Sequence, residues 1–278
     1  EYYQYKYQYY LYNNNYGFNY YYYLNQQYYY NLGRNLNSAS ATSSFGALYA
    51  AIGGGYSNSA SGEYTVIAGG KSNNATGDSA SIGGGSNNHA FGGNATIAGG
   101  AWNSATMAFT SVAGGMHNAA SGEYATVGGG NGNTADSSST TIAGGSNNYA
   151  FDSYATISGG ISNYVSAYAA AIAGGSSNTA SDDAQYAVIG GGYSNSVTAY
   201  AGTIAGGYAN YASGYTSTIA GGHSNYASAY GSTISGGLSN AAYGRSAAIG
   251  GGSSNYVWAS SATISGGSSN AVYAVYAA

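Results

Sequence analysis

A chain of 278 residues with 48 glycines, no proline, no cysteine and only 4% charged residues is far from an ordinary globular composition. Four cationic residues against eight acidic ones leave a net charge of −4, which excludes a basic surface able to neutralise phosphates, so nucleic acid is not an expected partner. The lack of cysteine excludes disulfides and thiolate metal sites, and neither a run of eighteen apolar residues nor a basic-then-apolar leader marks a membrane span or signal peptide.

The chain opens on an arm. Residues 1–30 hold fifteen tyrosines, with Tyr3, Tyr5, Tyr7 and Tyr9 alternating against Gln4, Lys6 and Gln8. Alternating aromatics favour extended strand. Two readings stand: a strand that pairs with a neighbouring subunit, or a low-complexity arm. Residues 31–43, rich in Asn, Ser and Ala, read as a linker. Ser44 to Ala51 resemble half of the repeat that follows, with Phe45 where later copies carry alanine, the atypical form expected of a terminal repeat.

From Ala51 onward the chain is one motif in fifteen copies. Each is registered by a branched apolar anchor: Ile52, Ile67, Ile82, Ile97, Val112, Val127, Ile142, Ile157, Ile172, Ile189, Ile204, Ile219, Ile234, Ile249 and Ile264. Thirteen of the fourteen spacings are fifteen residues. Two and three positions after each anchor stands Gly-Gly, and six positions after it Asn, from Asn58 to Asn270. A fixed period of this kind marks a repeat architecture whose units bury their apolar face only by stacking on one another.

Within a copy, the anchor sits in a short strand between small residues, Gly-Gly turns the chain, and a second short strand is centred eight positions past the anchor, at Ala60, Ala120, Val165 or Val257. Two strands and two turns make one flattened coil. The expected fold is therefore all-β: a parallel β-solenoid of fifteen 15-residue coils over 44–278, preceded by the tyrosine-rich arm and linker at 1–43. Coils about 4.8 Å apart give a rod of roughly 70 Å. The isoleucine and alanine columns form a thin interior, and the asparagines a hydrogen-bonded ladder. The one longer spacing, between Ile172 and Ile189, places two extra residues near Asp182-Asp183-Ala184-Gln185, expected to bulge outward without breaking the stack.

The pattern Thr-Ile-Ala/Ser-Gly-Gly-x-x-Asn-x-Ala-x-Gly, as in 203–214 and with small variations at 66–77 and 218–229, resembles the YadA-like head repeats of trimeric autotransporter adhesins. The resemblance covers residues 44–278. It implies a left-handed parallel β-roll, three chains side by side, at the tip of a bacterial surface fibre that adheres to host or matrix molecules. The anchors, Gly pairs and Asn column match the family's structural motif, and no ligand-contacting residue carries over. Neck, heptad stalk and membrane anchor are not among these residues, and the copies stop at Asn270 to Ala278, an open layer that favours end-to-end assembly.

The residues flanking each anchor are small in every coil, a flat face suited to packing against another copy. Large residues gather in columns expected on the opposite face: Tyr149 and Tyr164; Tyr211 and Tyr226; Tyr200, Tyr215 and Tyr230; Tyr243, Trp258 and Tyr273. They would bind sugars or proteins, or stack on one another to shield the turns. The threonines Thr203, Thr218, Thr233 and Thr263 suggest an ice-binding array, against which the alanine or serine two residues on breaks any Thr-x-Thr pattern.

Chemistry is sparse. His89, His117 and His223 occupy three different repeat positions many coils apart, unsuited to one metal or one triad and expected on the solvent-facing surface. Glu63 and Asp78 share a column, with Lys71 between them in sequence, and read as a solvated edge rather than a cation site or carboxylate pair. Asn74-Ala75-Thr76 and Asn94-Ala95-Thr96 match the glycosylation sequon. The glycine turns lack the residues of phosphate and calcium loops. No catalytic, cofactor-binding or metal-binding residue is expected, and a polysaccharide-cleaving enzyme is disfavoured by the lack of clustered acids. The expected role is a non-catalytic extracellular structural and adhesive element on a bacterial cell surface, its partners copies of itself in a trimer or filament and a host matrix protein or glycan. A homopolymeric filament subunit built by solenoid stacking and exchange of the N-terminal strand is the alternative, and an ice- or polysaccharide-binding solenoid a more remote one.

Overall fold

A computed structural model describes residues 49–273 in full and the backbone of Ser38–Ala39; the tyrosine-rich arm and Phe45 lie outside the described residues. The described residues fall in one compact unit, Asn35–Ala278, and contain strands, turns and no helix. Every strand is two residues long. They alternate between two parallel sheets: β1 (Ser38–Ala39), β3 (Ser59–Ala60) and the later strands centred on the alanine column form one of sixteen strands, while β2 (Ala51–Ile52) and the later isoleucine strands form one of fifteen. The protein is a β-solenoid of about fifteen coils of about fifteen residues, as the period requires.

Register follows the repeat without slip. Thr141 pairs with Thr156 and Ile142 with Ile157, and across the long spacing Ile172 still pairs with Ile189. Strands this short bury little area individually. Each is held because the same apolar residue recurs directly above and below it, so a shift by one residue would turn the whole column outward. The anchors from Ile67 to Ile234 are fully buried, as are the facing Ala60 to Val257.

A third inward column, two residues before each anchor, went unread in the sequence. It holds Ala80, Ala95, Ala155, Ala170 and Ala187, and elsewhere Thr65, Thr140, Ser217 or Ser232, all buried. Its mixture of Ala, Thr, Ser and Gly looks like surface composition. The threonines and Ser232 turn their hydroxyls back on the chain, Thr65 Oγ1 donating to the Gly62 carbonyl at 2.9 Å and Thr140 Oγ1 to that of Ser137 at 2.7 Å, while Ser217 Oγ is buried without a hydrogen-bond partner.

The residues flanking each buried Ile or Ala donate their peptide N–H one coil onward, as from Thr141 to the Ala155 carbonyl (3.0 Å) and from Tyr149 to that of Asn163 (2.9 Å). At each corner one residue donates backward, as from Asn147 to Asn131 (2.9 Å) and from Tyr154 to Ser138 (3.0 Å). These residues have left-handed backbone, φ 54 at Asn147 and 61 at Tyr154, which reverses the peptide plane at each corner. Sequence reasoning gave that conformation to glycine. The structure gives it also to Ser, Ala, His, Phe, Tyr and Trp, at a local cost of about 1–2 kcal/mol per residue, offset by the corner hydrogen bond.

The asparagine ladder is present and is mainly an amide-to-backbone device. Asn163 Nδ2 donates to the carbonyls of Gly159 (3.0 Å) in its own coil and Gly175 (3.1 Å) in the next, and Asn163 Oδ1 accepts the N–H of Asn178 at 3.1 Å. Direct amide-to-amide bonds, such as Asn163 to Asn148 at 3.1 Å, add to this. Asn103, Asn118 and Asn133 stand in file through the same bonds. Between the Gly pair and the Asn, single-residue bridges from Tyr56↔Lys71 to Ser253↔Ser268 make a further parallel ladder that sequence reasoning treated as plain turn.

At the long spacing, Asp182 and Asp183 loop out exposed while Ala184 returns to the buried position that Ala167 holds one coil earlier. The outward bulge is therefore as expected. At the other end, Ser38 and Ala39, inside the segment expected to be a linker, pair in parallel with Ser59 and Ala60, so the alanine sheet extends ahead of residue 44.

Candidate functional site

The two sheets present unlike faces. Outward from the isoleucine sheet point the residues flanking each anchor, such as Thr141 and Ala143, Thr156 and Ser158, Ala171 and Ala173. None is larger than Val66 or Val188, and the column after the anchor is exposed in every coil from Gly53 to Ser265. A strand with small side chains on one side and a buried branched one on the other leaves a level surface along the rod.

Outward from the alanine sheet the residues flanking the inward Ala or Val range from small pairs such as Ser59 and Ser61 or Ala119 and Ser121 to clustered aromatics. Tyr149, Phe151 and Tyr164 form one cluster, with ring centroids 6.0 and 5.3 Å apart. Tyr211, Tyr226, Tyr243 and Trp258 form another, at 5.1, 5.6 and 4.0 Å. This stack crosses from one flanking column to the other where Ala241 leaves room. Thr198 Oγ1 lies 3.1 Å from the Tyr211 hydroxyl and Ser213 Oγ 3.4 Å from that of Tyr226. Desolvation raises the Tyr243 hydroxyl above its usual pKa, with the neighbouring Tyr226 and Tyr256 adding to the shift.

Tyr200, Tyr215 and Tyr230 do not share that face. They line the second turn, at the edge of the coil, where they continue a file that begins at Tyr154 and passes through Tyr168 and Tyr186. The first three rungs escaped sequence reading because they come from different offsets within the repeat and from either side of the insertion. Fixed-period columns cannot reveal such a file.

Where rings stack face to face along the axis, as Tyr211 on Tyr226 with planes 2° apart, they occupy one another's π-faces. A sugar ring packs on a π-face, so the faces used in this mutual stacking are not free as sugar platforms. Of the two sequence readings of the columns, mutual stacking is the one this geometry supports.

The histidines lie in three settings. His117 stacks on Trp102 (6.0 Å) and is exposed, as is His223 beside Tyr208 (4.7 Å). His89 differs from the expected surface residue: it is half-buried against Phe91 (5.4 Å), and its Nδ1 is buried without a hydrogen-bond partner. Among the described residues no group of three or more His, Asp or Glu side chains is placed to hold a metal ion. Asp78 Oδ1 accepts the Glu63 N–H at 3.0 Å, tying the acidic column to the backbone, and Lys71 stands apart from it in the bridge column between Tyr56 and Ser86. Of the two sequons, Asn74 lies half-buried on the aromatic face and Asn94 is exposed at a left-handed corner. Among the described residues no helix is long and apolar enough to cross a membrane.

Fold and faces together define the class: a parallel β-solenoid repeat protein with one level face of small residues and one aromatic face. No protein-family model matches the chain, and no curated protein is similar to it.

Proposed function

We propose that the chain is a non-catalytic structural and adhesive solenoid of an extracellular bacterial surface fibre, similar in kind to the YadA-like heads of trimeric autotransporter adhesins, with other copies of itself as first partner and a host matrix protein or glycan as second. The observation that carries this reading is the level face of the isoleucine sheet, unbroken over fifteen coils. At about 4.8 Å per coil and roughly 10 Å of width, it offers on the order of 700 Å² per partner, close to the half-share of a standard specific interface. Small side chains let two such faces meet without interlocking, so affinity accrues coil by coil.

Sedimentation of the purified protein under dilution tests the reading. The expected result is a discrete oligomer that Ala143→Arg with Ala173→Arg dissociates to monomer, while Thr134→Arg with Ser166→Arg on the aromatic face leaves it intact. A parent protein monomeric at every concentration overturns it, and particles growing into continuous filaments favour the homopolymer instead. Binding of the oligomer to matrix proteins and glycans then tests the adhesive half.

A further inference from the structure

The edge file is longer than any fixed-period aromatic column in the sequence. Tyr154, Tyr168, Tyr186, Tyr200, Tyr215 and Tyr230 follow one another, one per coil, with successive centroids 5.4, 5.7, 5.5, 4.8 and 5.3 Å apart. The guanidinium carbon of Arg245 closes the file, 4.9 Å from the Tyr230 centroid. Tyr154 and Tyr186 reach it from left-handed backbone, φ 61 and 60, and the others from the position before that corner. The rings stay in contact although the supplying position changes and Asp182-Asp183 intervenes. All except the half-buried Tyr200 are exposed.

We propose that this file is a site of oxidative tyrosine coupling, in which a one-electron oxidant, such as a peroxidase haem or a photogenerated ruthenium(III) complex, converts two neighbouring rungs into a dityrosine bridge between successive coils. Each phenol gives one electron to the oxidant and its hydroxyl proton to water. The two phenoxyl radicals join through the ring carbons beside their oxygens. The hydrogen on each of those carbons then moves to the oxygen and restores both hydroxyls. In sum, two tyrosines lose two electrons and two protons, and two oxidant equivalents are reduced.

Three features single out this file among the tyrosines. Rings in contact pass an electron vacancy along, so two oxidation events anywhere on six rungs can meet on neighbours, whereas an isolated pair such as Tyr193 and Tyr208 must be struck twice. The Arg245 cation is attracted by an electron-rich ring and disfavours an electron-poor one, so vacancies are held away from Tyr230. Tyr200 and Tyr215 are the closest and most nearly parallel of the remaining neighbours, 4.8 Å and 6° apart, while the rungs from Tyr154 to Tyr200 meet edge to face at 69° to 79°. The favoured bridge is therefore Tyr200 to Tyr215. None of this depends on what either sheet face binds.

The test is photo-oxidation of the dilute intact chain with ruthenium tris-bipyridyl and persulfate, followed by peptide mass spectrometry. The expected product is an intrachain Tyr200–Tyr215 bridge, two hydrogens lighter than the parent, as the most abundant dityrosine among residues 49–273. Tyr215→Phe, which keeps the ring and the stack, abolishes that bridge, with circular dichroism confirming an unchanged fold. Arg245→Gln shifts yield toward Tyr215–Tyr230. Bridges found only between chains, an equal or greater yield at Tyr193–Tyr208 or Tyr49–Tyr64, or an Arg245→Gln map identical to the parent's would each overturn the proposal.

Discussion

The two glycines of each pair look interchangeable in the sequence and are not. Gly145 has φ 94, and a Cβ there would land on the Gly160 carbonyl oxygen of the next coil as well as near Asn148 Nδ2. Around Gly144 a Cβ meets nothing within 4 Å. Gly145→Ala should therefore cost about 1–3 kcal/mol from strain and clash, while Gly144→Ala stays within about 1 kcal/mol; urea midpoints of the two variants measure the difference. The asparagine beyond them carries a second residue-level test. Replacing Asn163 with Leu leaves the buried Asn178 N–H without the Oδ1 that accepts it, at a cost of about 1–3 kcal/mol for that donor. Amide hydrogen exchange should show Asn178 losing protection before residues two coils away.

At the scale of the strand, stability rests on one apolar file and its small partners. Ile157 is fully buried between Ile142 and Ile172. Ile157→Val, which recreates what Val112 and Val127 already do, should cost about 0.5–1.5 kcal/mol, and Ile157→Ala about 2–5 kcal/mol, read from chemical denaturation. The aromatic stack adds a pH dependence. Because burial raises the folded Tyr243 pKa above its unfolded value near 10, its contribution is fully present below about pH 10 and is lost as pH rises through the folded pKa. Stability of the parent should thus fall more steeply above pH 10 than that of Tyr243→Phe, with the curves converging below it.

At the scale of the whole molecule, each coil touches only its neighbours, so local changes stay local. The insertion tests this directly. Removing Asp182 and Asp183 joins Ser181 to Ala184 and recreates the spacing of Ser166 and Ala167 one coil earlier. Since both aspartates are exposed and Ile172 already pairs with Ile189, the deletion should change stability by no more than about 1 kcal/mol. A larger loss in a thermal melt would mean that the loop supports the stack.

By itself the sequence determined the period, and with it the register, the isoleucine and alanine columns, the asparagine file and the level face. In a parallel in-register stack the axial neighbours of a residue are its own equivalents one period away, so identical letters must touch. Only the tertiary structure decided what depends on how each coil bends: that residues two before the anchor point inward, that Tyr and Trp take left-handed corners, that the second glycine of each pair is obligatory, and that Tyr154 to Tyr230 form one file. Corner geometry sets those directions through backbone dihedrals that no spacing encodes, and side chains leaning from unlike positions meet only in space.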